Sequence, residues 1–366
     1  MAEINIGDTA WVPEATARDT YKIVTYRWED EAMKNFLAYS LFGSAFLTTG
    51  LALAGGGTAP VAGAPAAGLP ILPADAAMPA GGLAVNLAST TPPKYKNVVY
   101  ATASSSEKLD IYLPSGTGPF PVIFMVHGGG FKFGDQAGWR ASVGKALLKA
   151  GYALVGVGYR LSGEATFPAA PQDVKAAVRF VRANAAKYNL DPNRFAAYGE
   201  SAGGNLAAML GTTGNQATVF DAPSLGNAGV SSAVRAVADL YGPNDFAAID
   251  SFLTAEGCAA SEINHNTSVG FESIYLGAAL PKVAAKVKQA NPITYVDAGD
   301  APFLIENGGK DCNVGFGQGQ LLQNALNKAG VANTKVAFPN AAHGGVDFET
   351  ASNAQRIVTF FNTYVK

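Results

Sequence analysis

The chain has 366 residues, 48% of them hydrophobic and 15% charged, which is enough apolar material for a sizeable core and argues against global disorder. A formal net charge of −2, with no run of basic residues, speaks against a nucleic-acid partner. Cys258 and Cys312 are too few for a disulfide scaffold, and neither has a zinc-site spacing with the three histidines, His127, His265 and His343.

Residues 1–32 are polar and acidic and show no period that specifies an element. The basic start at Met33-Lys34-Asn35, the apolar run from Phe36 to Leu47 and the Ala52-Leu53-Ala54 close have the three parts of a secretory signal peptide. This predicts a signal over 33–54, a natural start at Met33 and a non-native or misassigned extension over 1–32. The alternative for the apolar run is a single membrane anchor, which needs ~20 apolar residues; Thr48, Thr49 and Gly50 interrupt it. Residues 55–93, rich in Gly, Ala and Pro with a lone charge at Asp75, read as a linker. A structured domain is expected over 94–366.

There, strands and helices alternate. Asn97–Ala101 and Leu109–Pro114 read as two strands in an antiparallel start. Pro121–Val126 is a continuous apolar run, the pattern of a strand covered on both faces. A helix over 139–150, a strand over 153–159 and a helix over 173–188 follow. Arg194–Tyr198 reads as a short buried strand and Asn205–Leu210 as helix, and Val234–Leu240 is the next strand. Residues 244–292 break the rhythm, and a connection of that length inside a compact domain reads as a small lid or cap. Strands at 302–307 and 335–338 alternate with helices over 317–329 and 348–364. Repeated β-then-α units predict a mostly parallel, twisted sheet flanked by helices, the α/β class.

Gly199-Glu200-Ser201-Ala202-Gly203 joins the strand at 194–198 to its helix. G-x-S-x-G at a strand-to-helix turn is a nucleophile elbow, in which the turn exposes the serine Oγ at the sheet edge. His127-Gly128-Gly129-Gly130-Phe131 directly follows the strand at 121–126. Glycines free of Cβ let such a loop aim successive N–H groups at one point, as a tetrahedral oxyanion requires. Asp311 lies just past the strand at 302–307 and His343 just past that at 335–338. The order serine, acid, histidine is that of the α/β-hydrolases, at strand ends where open α/β sheets build their sites.

With HGGGF, Tyr159-Arg160, GESAG, the D-x-x-V of Asp311–Val314 and the HGG of His343–Gly345, the chain resembles the hormone-sensitive-lipase-like α/β-hydrolases. Within that group it is most similar to secreted bacterial esterases near the feruloyl and acetyl-xylan esterases. The resemblance spans about Tyr95 to the C-terminus. It implies a secreted serine carboxylic-ester hydrolase that uses no metal or organic cofactor and acts through an acyl-enzyme. Ser201 is then the nucleophile, Asp311 the acid and His343 the base, with the N–H groups of Gly129, Gly130 and Ala202 as oxyanion donors. Two departures bear on one pocket wall. Glu306–Lys310 replaces the usual H-G-D before the acid, and Gly315-Phe316-Gly317 stands where a proline is more common. Expected substrates are short-chain or aromatic acyl esters, feruloyl or acetyl esters of polysaccharide or polyester-like materials among them, with neither nucleic acid nor a membrane as stable partner. The alternatives are a peptidase of the same fold and a non-catalytic binding protein that kept it.

Because the base must be neutral to accept a proton, kcat/KM is expected to rise with pH. His127 precedes the serine and is expected to brace its loop, while His265 is read as a surface or pocket-rim residue. Asp347 is placed at a helix start and Asp173 in a structural role. Glu200 either tunes the site or is solvated or salt-bridged. Phe131, Tyr241 and Phe246 are the candidate pocket aromatics, with core packing as the alternative for each. In an exported protein Cys258 and Cys312, 54 positions apart, are expected to form a disulfide between cap and acid loop, the alternative being two free thiols.

Overall fold

The computed structural model describes residues 91–366; the expected extension over 1–32, the expected signal over 33–54 and the expected linker up to residue 90 lie outside the described residues. Eight strands, β1 (Tyr95–Val99), β2 (Lys108–Tyr112), β3 (Phe120–Val126), β4 (Ala153–Val157), β5 (Leu190–Glu200), β6 (Val237–Leu240), β7 (Phe303–Gly308) and β8 (Asn333–Phe338), form one sheet in the order β1-β2-β4-β3-β5-β6-β7-β8. β2 pairs antiparallel with both β1 and β4, and every pair from β4 to β8 is parallel.

All seven residues of β3 and all five of β4 are buried, which is why these strands read as unbroken apolar runs. Side-chain alternation then divides the core in two. Val122, Phe124 and Val126 face one side with Phe195 and Ala197 of β5, while Ile123 and Met125 face the other with Ala196 and Tyr198. The first face is covered by α2 (Ala169–Ala183), α3 (Ala202–Thr213) and α7 (Gly317–Ala329), through residues such as Val174, Leu206 and Leu322. The second is covered by α1 (Ala141–Lys149) and α8 (Ala351–Val365), through Val143, Leu147, Ile357 and Phe361. All twelve residues of α3 are buried. Its small side chains let it lie close against the sheet, and a Cβ on Gly211 would sit 2.6 Å from Val237 Cγ2 and 2.8 Å from the Phe303 ring.

The 244–292 stretch, between β6 and β7, carries three short helices, α4 (Ile249–Ala255), α5 (Phe271–Leu276) and α6 (Ala284–Ala290). Phe246, Ile249, Leu253, Tyr275 and Leu276 bury themselves in the same core as α3, so the insertion is packed rather than draped. Cys258 and Cys312 form a disulfide, Cα atoms 5.5 Å apart, tying the segment after α4 to the loop after β7. Among the described residues no helix is long and apolar enough to cross a membrane.

Candidate active site

The site is built where β5 turns into α3. Ser201 has φ 55° and ψ −123°, a conformation that side-chain-bearing residues rarely adopt and that costs about 1–3 kcal/mol. The turn is feasible because its neighbours lack Cβ atoms. One on Gly199 would overlap the Gly203 carbonyl, and one on Gly203 would overlap the carbonyl oxygens of Val126 and His127. Glycine at both positions is therefore a steric demand of the turn.

His343, on the loop after β8, spans the two oxygen-bearing partners. Its Nε2 lies 2.8 Å from Ser201 Oγ and its Nδ1 2.8 Å from Asp311 Oδ2. This geometry suits an Nδ1–H that donates to the carboxylate and an Nε2 that accepts the serine proton. Asp311 is buried at the end of β7, and its Oδ1 accepts the N–H groups of Asn313 (2.9 Å) and Val314 (3.0 Å). Burial pushes its carboxyl pKa upward, but the facing His343 and these hydrogen bonds outweigh burial and hold it below the usual range. Asp311 therefore stays ionised.

The HGGG loop runs beside Ser201. A Cβ on Gly128 would lie 2.8 Å from the Glu200 carbonyl oxygen and 3.2 Å from Ser201 Cβ. Gly129 and Gly130 have φ of 109° and 58°, open to glycine and strained for other residues. Lys132 and Phe133 N–H groups both donate to Gly129 O at 3.0 Å, closing the loop. Among the described residues, the N–H groups of Gly129, Gly130 and Ala202 are paired with no loop carbonyl or side-chain acceptor. His127 braces this loop as expected. Its Nδ1–H donates to Gly128 O (2.8 Å) and its ring stacks on Tyr159, centroids 4.2 Å apart. Burial lowers its pKa to about 4, so it is neutral at ordinary pH. The Tyr159 hydroxyl donates to His127 O at 2.9 Å, and Arg160 next to it grips the buried Asp173 of α2.

Three pocket candidates and one rim candidate need correction. Phe131, Tyr241 and Phe246 are 1%, 3% and 0% exposed and pack in the core, the first and last on one face of the sheet and Tyr241 on the other. Phe131 stacks on Tyr275 at 3.9 Å between centroids, and Tyr241 stands edge-on to His343 at 4.7 Å. The aromatics that do present surface are Phe133 and Phe271, which the sequence reading missed. They meet edge-to-face at 6.3 Å, and a Cβ on Gly130 would lie 2.7 Å from the Phe271 ring. Phe133 was within reach of sequence reasoning, two residues beyond HGGGF, but Phe271 arrives from the insertion with no local signal. His265 is buried, with Nδ1 2.5 Å from Glu272 Oε2, and hydrogen-bonds to neither Ser201 nor Asp311. Asp347 falls in the short 3₁₀ turn Val346–Glu349 that leads into α8, in keeping with a helix-start role. Among the described residues the one cluster of three potential metal ligands is Cys258, Glu262 and Cys312, whose two sulfurs are already joined. A groove of about 430 Å³ on the insertion, lined by Leu280, Val287 and Ile293, includes none of the three residues around His343.

A mostly parallel sheet with a serine on its strand-to-helix turn, and an acid and a histidine after two later strands, is the α/β-hydrolase fold. The description of one such family, BD-FAE, matches residues 109–326, and the chain belongs to that family. It is similar to Esterase LipQ of Mycobacterium tuberculosis, 29% identical over 254 residues that make up 68% of this chain and 56% of the relative. Among solved structures it is similar to a truncated carbohydrate esterase from gut microbiota, at 35% identity and a TM-score of 0.66, covering 74% of this chain and 95% of the other. A bifunctional GH43-CE protein of Bacteroides eggerthii is 31% identical with a TM-score of 0.64, over 74% of this chain and 38% of that one. The chain spans about half the length of the curated relatives it matches.

Proposed function

We propose that the protein is an exported serine carboxylic-ester hydrolase that acts on short-chain or aromatic acyl esters carried by carbohydrate. The observation that carries the reading is the His343 imidazole 2.8 Å from both Ser201 Oγ and Asp311 Oδ2. His343 Nε2 takes the Ser201 proton as Oγ attacks the ester carbonyl. The tetrahedral oxyanion lies against the N–H groups of Gly129, Gly130 and Ala202. On its collapse the alcohol leaves with the proton from His343, and the acyl group stays on Ser201. Water, deprotonated by the same nitrogen, then releases the acid and restores the serine. Asp311 keeps the imidazole oriented and balances its charge while it is protonated.

Carbohydrate as the alcohol side is supported by the relatives described as carbohydrate esterases. An acyl group with an apolar or aromatic face suits the exposed Phe133 and Phe271 beside the glycine loop. Export rests on the residue pattern at 33–54 alone, and a mature N-terminus near Gly55 is the expected outcome of sequencing the exported protein. A fluorophosphonate probe should label the wild type and leave Ser201→Ala untouched, and a p-nitrophenyl acyl series together with acetyl and feruloyl saccharides should be turned over. Labelling without ester turnover would mean a peptidase, and no labelling would mean a binding protein.

A further inference from the structure

Arg140, the residue just before α1, carries no sequence signal of a role, yet its buried guanidinium joins four parts of the chain. Nε donates to Glu200 Oε2 at 2.9 Å. Nη2 donates to the Gly344 carbonyl at 2.7 Å and to the Tyr241 hydroxyl at 3.0 Å, and Nη1 pairs with Glu349 Oε1 at 2.5 Å. The Tyr241 hydroxyl donates in turn to Glu200 Oε2 at 2.7 Å. Glu200 immediately precedes Ser201, and Gly344 immediately follows His343. A Cβ on Gly344, whose φ is 70°, would lie 2.9 Å from Arg140 Nη2, so the residue after the histidine has to be bare for the guanidinium to reach its carbonyl.

We propose that Arg140 is a positioning residue for the ester hydrolysis, fastening the loop that carries the base to the strand end that carries the nucleophile. The role rests on the serine-esterase reading above. His343 sits on a loop followed by two glycines, which restrain the backbone little. Its bond to Asp311 fixes one edge of the ring but leaves the loop free to swing about that bond. The Gly344–Arg140–Glu200 link supplies a second anchor, at the residue after the histidine, and refers it to the strand end next to Ser201. The rigid, planar guanidinium can meet acceptors in three directions at once, whereas a lysine ammonium at this depth would satisfy one or two of them. A displacement of about 1 Å between base and nucleophile costs on the order of 100-fold in rate.

The test is steady-state hydrolysis of p-nitrophenyl acetate, normalised to sites titrated with the fluorophosphonate, with thermal melting recorded for every variant. Arg140→Lys is expected to lose about 10- to 100-fold in kcat with KM changed less than about threefold. In Arg140→Ala, added guanidinium chloride should recover a large part of kcat, and sodium chloride at equal ionic strength should not. If that variant fails to fold, Tyr241→Phe takes its place, with kcat reduced about threefold to tenfold and KM held. The role is overturned if Arg140→Lys keeps kcat per titrated site within about twofold of wild type, or if kcat and KM move together in step with lost stability. A wild-type protein that takes no label overturns the esterase reading instead, and the positioning role with it.

Discussion

At Asp311 two opposing effects act on one carboxyl group, and the balance matters for the chemistry. Burial disfavours its charge, while the His343 ring and the N–H groups of Asn313 and Val314 favour it and prevail. The group is thus ionised where it faces the His343 ring. Asp311→Asn should leave the fold intact but present an amide that can donate to Nδ1 and so stabilise the wrong tautomer. Kinetics per titrated site should show kcat lower by about 10⁴-fold. Asp311 was legible because it falls in a fixed order after the serine and at a strand end, as does His343. Arg140 was not, because its acceptors at 200, 241, 344 and 349 are scattered along the chain and leave no local pattern. Phe131, Tyr241 and Phe246 were misread because an aromatic beside a site and an aromatic beneath it look the same in one dimension. Burial depends on what lies opposite, here Tyr275 and His343.

Elements were legible where one period ruled and blurred where it did not. β3 and α7 stand out from pattern alone, one an unbroken apolar run of seven residues, too short for a helix, the other a clean helical spacing over thirteen. α2 begins at Ala169, earlier than its apolar spacing shows, because Pro171 is tolerated in a first turn whose N–H groups have no intrahelical acceptor. It also ends at Ala183, and the residues up to Tyr188 form a separate 3₁₀ turn closed by Asn189 at φ 58°. β5 extends back to Leu190 through the polar Asp191-Pro192-Asn193, a stretch with no strand signature that pairs irregularly with β3. The 244–292 insertion was legible as an interruption, though its three helices were not, being too short to show a period. Its tie to the acid loop is the Cys258–Cys312 disulfide, which closes a loop of 54 positions. In the chain-entropy account that crosslink contributes up to about 4 kcal/mol. Urea unfolding of the Cys258→Ser/Cys312→Ser protein, or of the reduced wild type, should show a loss approaching that figure. The loss of kcat should be small by comparison, because Asp311 keeps its own bonds to His343, Asn313 and Val314.

For the molecule as a whole, the parallel centre of the sheet brings buried carboxyl groups together beneath the site, and this sets how stability responds to pH. Glu306 of β7 is fully buried and receives a 2.7 Å hydrogen bond from Asn353 Nδ2, with Arg356 Nη1 3.8 Å from its other oxygen. Burial, reinforced by the charge of nearby Glu200, outweighs those two partners and pushes its pKa up to about 7. In the unfolded chain the same group titrates near ~4.3. Between these values the folded protein holds a proton that the unfolded chain has released, so stability falls as pH rises from ~4.3 to about 7 and levels off beyond. Asp311 has the opposite sign. Its pKa is depressed in the fold, so its contribution is intact above the ordinary carboxylate range and is lost only as pH drops through that range. The two groups together place maximum stability on the acid side of neutrality. Glu306→Gln keeps an acceptor for Asn353 and removes the ionisation. Calorimetry should find it close to wild type at pH 4 and more stable at pH 8 by about 3 kcal/mol, the cost to the wild type of carrying that carboxylate ionised in the fold. A variant that is less stable than wild type at both pH values would show that Glu306 is ionised throughout and held by Arg356. The expected slope would then have to come from other buried carboxyls, with Asp239, pushed up to about 6 by burial, the first to replace.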